Sequence, residues 1–248
     1  MNHNLLAPLL TMLLFYTHLS YSEVNPLPDI KKIKTIFEGM YSKNDLDGII
    51  VSKTPVTKLF EVTIGTQQFY IDSTSRYLIV GEMYDLEKKT KLISKQIQKS
   101  VIQKLSSFGF ENMLQYGPPE NKQRVFIFTD YTCGYCKKFH KQISSVVALG
   151  ITVNYILFSR EGANSNSAQH MSNILCVTKS ERNVIFDNLI NNNTIPVISC
   201  KNDFLLKSET LGREIQLSGT PMIITGNGSV IGGFLTPEEL KDRLKLEN

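Results

Sequence analysis

The feature that most constrains this chain is a Cys-x-x-Cys motif set between a strand and a helix. Residues 124–129 (Arg-Val-Phe-Ile-Phe-Thr) form a continuous apolar run of strand length. Cys133-Gly134-Tyr135-Cys136 follows. A helical pattern then recurs at Cys136, Phe139, His140, Ile143, Val146 and Val147, and Gly150 closes it. Residues 151–158 are a second buried-type strand. Strand, helix and strand in such close succession predict a βαβ unit with parallel strands and a right-handed crossover.

That placement points to redox chemistry. A cysteine at a helix N-terminus faces unpaired backbone N–H groups, which favour thiolate over thiol. Cys133 is that residue and is expected to be the exposed nucleophile. Cys136, one turn inside, is expected to be partly buried and to resolve mixed disulfides by attacking Cys133. Gly134 and Tyr135 set how strongly the reduced form is preferred. Zinc sites use the same spacing but require two further ligands just as tightly spaced. Cys176 and Cys200 are far apart and His140 lies on the wrong side of the helix start, so no metal is expected. His140 is roughly 10 Å along the helix from Cys133 at about 1.5 Å per residue, too far to share a proton. It reads as a packed or surface histidine. Nothing in these motifs calls for a cofactor.

The chain has four cysteines. Three pairings are formally possible, and the short gap between Cys133 and Cys136 makes their mutual pairing easy and leaves Cys176 with Cys200. That second bridge closes a loop of about 25 residues, worth about 3 kcal/mol in the chain-entropy picture. An even cysteine count suits an oxidising compartment. The leading segment agrees: residues 1–22 contain no Lys, Arg, Asp or Glu, and residues 5–19 are almost wholly apolar. Ser20 and Ser22 put small residues just before Glu23, so a signal peptide over 1–22, cleaved near Ser22, is expected. The usual basic residues are missing from its start. The apolar run is shorter than the roughly 20 residues needed to span a bilayer.

Beyond it, Asp29 to Tyr41 has helical spacing at Ile30, Ile33, Ile36, Phe37 and Met40, with Pro26 and Pro28 ahead of it. Short β-branched and aromatic runs follow at 49–51, 59–64, 68–71 and 77–80, separated by turn chemistry. One helix and a small antiparallel sheet make a marginal core that often draws stability from a partner chain. Residues 86–108 carry Ile93, Ile97, Val101 and Leu105 at four-residue intervals among many lysines. This predicts a solvated connecting helix with one packed stripe. The formal net charge is a mild +4, and a nucleic-acid partner is not expected. Gly117-Pro118-Pro119 marks the entrance to a second domain. Residues 163–217 look largely helical, with interruptions at Asn191-Asn192-Asn193 and Pro196. Residues 221–231 read as a hairpin turning at Asn227-Gly228. Thr236, Pro237 and Glu239 cap a last helix through Leu246. Pro221, at a strand start, is either an edge feature or a cis peptide.

With these pieces placed, four segments carry a resemblance to the bacterial DsbC/DsbG family of thiol:disulfide interchange proteins. Residues 128–136 (Phe-Thr-Asp-Tyr-Thr-Cys-Gly-Tyr-Cys) resemble its active-site segment, and 148–153 and 218–221 (Ser-Gly-Thr-Pro) resemble its following strand and its cis-proline loop. Residues 81–85 (Gly-Glu-Met-Tyr-Asp) are similar to the end of its N-terminal domain. The resemblance implies an α/β chain. A small α+β, cystatin-like dimerisation domain (23–85) and a linker helix (86–108) would precede a thioredoxin-like catalytic domain with a helical insertion (109–248). It implies a V-shaped periplasmic homodimer acting as a disulfide isomerase on misfolded disulfide-containing proteins. A membrane reductant of the DsbD type would keep Cys133 and Cys136 reduced. It further implies a cis Thr220-Pro221 peptide contacting substrate beside Cys133, a structural Cys176–Cys200 disulfide, and chaperone binding in an apolar cleft between the dimer's two active sites. Net reduction or oxidation, and a holdase role, are the alternatives. One departure stands out: many thioredoxins carry a buried Asp six residues before the first active-site cysteine, where this chain has Ile127.

Overall fold

A computed structural model describes residues 27–65, 67–87, 90–92, 94–191, 200 and 202–246. The expected signal peptide, Pro26, Ile93 and the interruption at 192–199 lie outside the described residues. The N-terminal unit begins with α1 (Ile30–Phe37) and the short α2 (Lys43–Asp47). Asp29 caps α1 by accepting a hydrogen bond from the Lys31 N–H. Strands β1 (Ile50–Lys53), β2 (Leu59–Ile64), β3 (Gln67–Asp72) and β4 (Leu78–Val80) form an antiparallel meander in that order. Alternation along β2 sends Phe60, Val62 and Ile64 against Ile33 and Phe37 of α1. Met40, Ile30 and Ile36, apolar and at helical spacing, stay largely outside this core.

A two-stranded hairpin follows, β5 (Tyr84–Asp85) and β6 (Thr90–Lys91). The helix expected from residue 86 therefore starts later: α3 runs Lys95–Phe108, capped by Ser94, whose side chain accepts from the Ile97 N–H. Thr90 and Lys91, within the expected helix, pair as strand because Tyr84 and Asp85 supply a partner, which helical periodicity cannot reveal. Ile97, Val101 and Leu105 form the packed stripe of α3, and they belong to the core of the second domain. Gly228 shows how tight that junction is. Its φ is +91°, and a Cβ there would lie 2.2 Å from the Gln98 carbonyl oxygen. Only glycine lets the hairpin turn approach the helix so closely.

The second domain holds a five-stranded sheet, formed by β7 (Leu114–Tyr116), β8 (Gln123–Thr129), β9 (Ile151–Leu157), β10 (Met222–Thr225) and β11 (Val230–Gly232). The spatial order is β11-β10-β8-β9-β7; β8 and β9 are parallel and the other pairs antiparallel. The expected βαβ unit is present, though its helix breaks at 141–142 into α4 (Gly134–His140) and α5 (Ile143–Ala148). Both faces of the sheet are covered, which explains why its two central strands are mostly apolar on both sides, with Thr152 and Asn154 of β9 also buried. Val125 and Ile127 pack with Phe139 and with Met171 and Phe186 of the insertion, while Phe126 and Phe128 pack with α3 and Leu211. The helical insertion comprises α6 (Asn166–Ile174), α7 (Lys179–Ile190) and α8 (Phe204–Glu214). Helix α9 (Pro237–Leu246) closes the chain, and Thr236 and Glu239 exchange the two expected capping hydrogen bonds. This is the thioredoxin-like arrangement that the resemblance implies. No described helix is long and apolar enough to cross a membrane.

Candidate active site

Strand β8 ends at Thr129 and the chain turns through 130–132 before Cys133 becomes the N-cap of α4. The turn closes when the Cys133 N–H donates to the Asp130 carbonyl at 3.0 Å. The Cys133 sulfur accepts from the Cys136 N–H at 3.5 Å. Cys133 Sγ–H also donates to the Thr220 carbonyl at 3.2 Å. The Thr220-Pro221 peptide is cis and leads into β10, which pairs with β8. Sheet pairing therefore brings residues 218–221 beside a motif far away in sequence. Neither cysteine is bridged, whereas Cys176 and Cys200 form a disulfide between the end of α6 and the segment before α8.

The expected exposure of Cys133 needs correction. It is 4% exposed, and Cys136 is 1% exposed. The first sulfur is tucked between the start of α4 and Thr220 instead of standing open. Tyr135, by contrast, is 63% exposed. Its ring faces Phe234, and the Lys138 ammonium sits 4.5 Å from the Phe234 centroid. A Cβ at Gly134 would meet no neighbour, so the side of the motif next to Tyr135 is open.

The two thiols are electrostatically unequal. Burial opposes ionisation of Cys133, but the Cys136 N–H, the Thr220 hydroxyl, the Cys136 thiol and the Tyr135 N–H together outweigh it and lower its pKa. The Thr220 hydroxyl oxygen is buried and has no other hydrogen-bond partner. Burial drives the pKa of Cys136 upward, and donation of its thiol proton to Cys133 and the neighbouring charge add to that rise. One proton is thus lost first, from the outer sulfur.

Two charged residues here escaped the sequence reading. Asp130 is fully buried yet well satisfied. Its carboxylate accepts from the Thr132 N–H at 2.8 Å and hydroxyl at 2.7 Å, and from the Arg160 N–H at 3.0 Å and Nε at 3.1 Å. Arg160 also donates to the Thr132 hydroxyl. Partial burial weakens the arginine cation, but Asp130 and the charges of Cys133 and Cys136 more than restore it. No motif spacing joins Asp130 to Arg160; they meet because β8 and β9 run parallel and end together. Ile127, where many thioredoxins have an aspartate, is wholly buried in the core.

Of the two expected positions, packed or surface, His140 takes the packed one. It is 6% exposed, with Nε2 3.1 Å from Asp187, which also accepts from the Tyr116 hydroxyl at 2.6 Å. Burial would raise the Asp187 pKa, yet these two partners hold it below the usual carboxylate range. Among the described residues, no three His, Cys, Asp or Glu side chains are grouped to hold a metal ion.

Comparisons with known proteins agree with this geometry. The family model of the thioredoxin-like domain matches residues 110–247, and that of the disulfide bond isomerase protein N-terminal domain matches 25–94. Thiol:disulfide interchange protein DsbC of Escherichia coli (strain K12) is 31% identical, covering 78% of this chain and 80% of that protein. The DsbC protein of Pasteurella multocida is 33% identical, covering 82% of this chain and 86% of that protein. Among solved structures, a linker-deletion variant of Proteus mirabilis ScsC superposes with a TM-score of 0.50 at 19% identity. It covers 62% of this chain and 84% of that one, a likeness of fold alone. The chain belongs to the DsbC family of thiol:disulfide interchange proteins.

Proposed function

We propose that Cys133 is the attacking sulfur and Cys136 the resolving one in a disulfide isomerase. The observation that carries this is the hydrogen-bond set on the Cys133 sulfur, which favours thiolate there while burial keeps Cys136 protonated. The Cys133 thiolate attacks one sulfur of a mispaired substrate disulfide, forming a mixed disulfide and releasing the other sulfur as a thiolate. That thiolate attacks elsewhere in the substrate and, after reshuffling, displaces Cys133. Where the complex stalls, Cys136 loses its proton and attacks Cys133, so the substrate leaves reduced and the enzyme oxidised. A membrane reductant of the DsbD type then returns two electrons. Thr220, Pro221, Gly134 and Tyr135 border the attacked bond, and the Cys176–Cys200 bridge holds the insertion.

Dimerisation completes the reading. The edge strand β4 exposes a row of apolar side chains, with Ile79 51% and Val80 73% exposed. An unpaired apolar edge is a template for a second copy, and a dimer cleft holds a substrate through repeated exchange. We place the dimerisation unit at 23–85, the connecting segment at 86–108 and the catalytic domain at 109–248. The protein works in the periplasm after cleavage near Ser22, with misfolded disulfide-containing proteins as substrates and bound as by a chaperone.

The decisive experiment refolds a scrambled multi-disulfide substrate in a redox buffer. Cys133→Ser lowers the enzyme-dependent rate to the buffer background; survival of that rate overturns the assignment. Sedimentation is expected to give a dimer, and a monomer counts against the isomerase.

A further inference from the structure

A cleft of about 390 Å³ lies between the two units of one protomer and runs up to the cis-proline loop. Strand β6 of the N-terminal hairpin packs against β11, so the hairpin forms one wall. Tyr84 and Lys91 of the hairpin, with Glu82 just before it and Gln68 of β3, make that wall polar. The opposite wall is apolar, built by Ile97 and Val101 of α3 with Ile215. Thr220 and Pro221 form its end nearest Cys133.

We propose that this cleft, built partly by the protomer's own N-terminal hairpin, receives a bulky uncharged side chain next to the attacked cysteine of an extended substrate segment. The proposal rests on Cys133 being the attacking sulfur. Continuity with the Thr220 carbonyl, 3.2 Å from the Cys133 sulfur, commits the cleft to the chain joined to that sulfur. Its size falls in the range of about 300–1,000 Å³ typical of ligand pockets. Its charge argues against an ionic occupant. Lys91 is only 16% exposed and already paired with Glu82, which also accepts from the Tyr84 hydroxyl. A carboxylate entering here loses water and gains no free cation, whereas an apolar side chain meets three aliphatic residues. Once Cys133 is in the mixed disulfide it is no longer a thiolate, and the Thr220 hydroxyl becomes available to the arriving main chain. The hairpin at the junction of the two units then contacts substrate directly, apart from any part the meander takes in dimerisation.

The test uses full-length Cys136→Ser protein, in which the mixed disulfide accumulates. Symmetric disulfides of Gly-X-Cys-X-Gly peptides, with X as Phe, Gly or Asp, are mixed with it and the rate of adduct formation at Cys133 is measured. The Phe peptide is expected to react about tenfold faster than the Gly and Asp peptides, the lower end of what an apolar pocket discriminates. Equal rates overturn the cleft but leave Cys133 as the attacking sulfur; no adduct with any peptide overturns the catalytic reading itself. A peptide with benzoylphenylalanine at X locates the side chain by photocrosslinking. Labelling at Tyr84, Lys91, Ile97 or Val101 supports the cleft. Labelling confined to Tyr135, Lys138 and Phe234 places the side chain on the other side of the motif and overturns it. Tyr84→Ala, at an exposed lip position, is expected to lower the Phe-to-Gly rate ratio at least threefold, and an unchanged ratio removes the hairpin from recognition.

Discussion

Cys133 and Cys136 lie almost wholly covered, unbridged, between the start of α4 and the cis-proline loop, while Cys176 and Cys200 are bridged at an edge of the insertion where Cys200 is exposed. Exposure alone would rank the second pair as the more reactive. The surroundings argue for the opposite order. Two backbone N–H groups and a hydroxyl favour a negative Cys133 sulfur, with the Arg160 cation held nearby by a buried carboxylate. Around the second pair, the side-chain donor among the described residues is the Asn202 amide, 3.4 Å from the Cys200 sulfur. Reactivity in a thiol follows from donors that wait for its charge, more than from access to water.

This contrast can be broken most severely by exchanging the roles of the pairs. Cys133→Ser is expected to remove isomerisation, whereas the Cys176→Ser/Cys200→Ser double variant is expected to keep most of it when assayed well below its unfolding midpoint. Equal losses in both would make the insertion bridge part of the chemistry. The double variant should instead lose about 3 kcal/mol of stability, read from the denaturant midpoint, because the unfolded chain regains the freedom of a loop of about 25 residues.

A smaller effect sharpens the electrostatic half of the comparison. Arg160→Met leaves Asp130 buried with its remaining donors. It is expected to cost about 1–2 kcal/mol, at the modest end because the guanidinium is 47% exposed and screened by solvent. The same variant should shift the midpoint of Cys133 alkylation against pH upward, which a purely structural ion pair would not do. The smallest effect concerns the wild-type midpoint itself. The folded pKa of Cys133 is lowered, so its thiolate persists as pH falls below the free-thiol value of about 8.5 and is lost only on passing through the depressed pKa. Alkylation by iodoacetamide should therefore reach half its plateau below that of a free thiol. A midpoint at or above the free-thiol value would mean that burial wins.

Much of the architecture was legible in the chain because periodicity reports burial. The apolar runs at 124–129 and 151–158 became the two central strands, and the alternating segments of the N-terminal unit became a meander. Periodicity failed where a partner decided the outcome. Strand β6 formed within an expected helix because Tyr84 and Asp85 pair with it. Strand β7 went unread because a three-residue strand carries too little pattern, and it exists by pairing with β9.

The site divides the same way. The spacing of Cys133 and Cys136 at a strand-to-helix junction, and the choice of Cys176 with Cys200, followed from the order of residues, since both depend on short-range geometry or on elimination. That Thr220 rests against the sulfur was implied by the family resemblance alone, while the covering of Cys133 and the meeting of Asp130 with Arg160 depended on which strands lie side by side. Such contacts join residues with no sequence relation, because the sheet's hydrogen-bond register, set by burial on both its faces, chooses the neighbours.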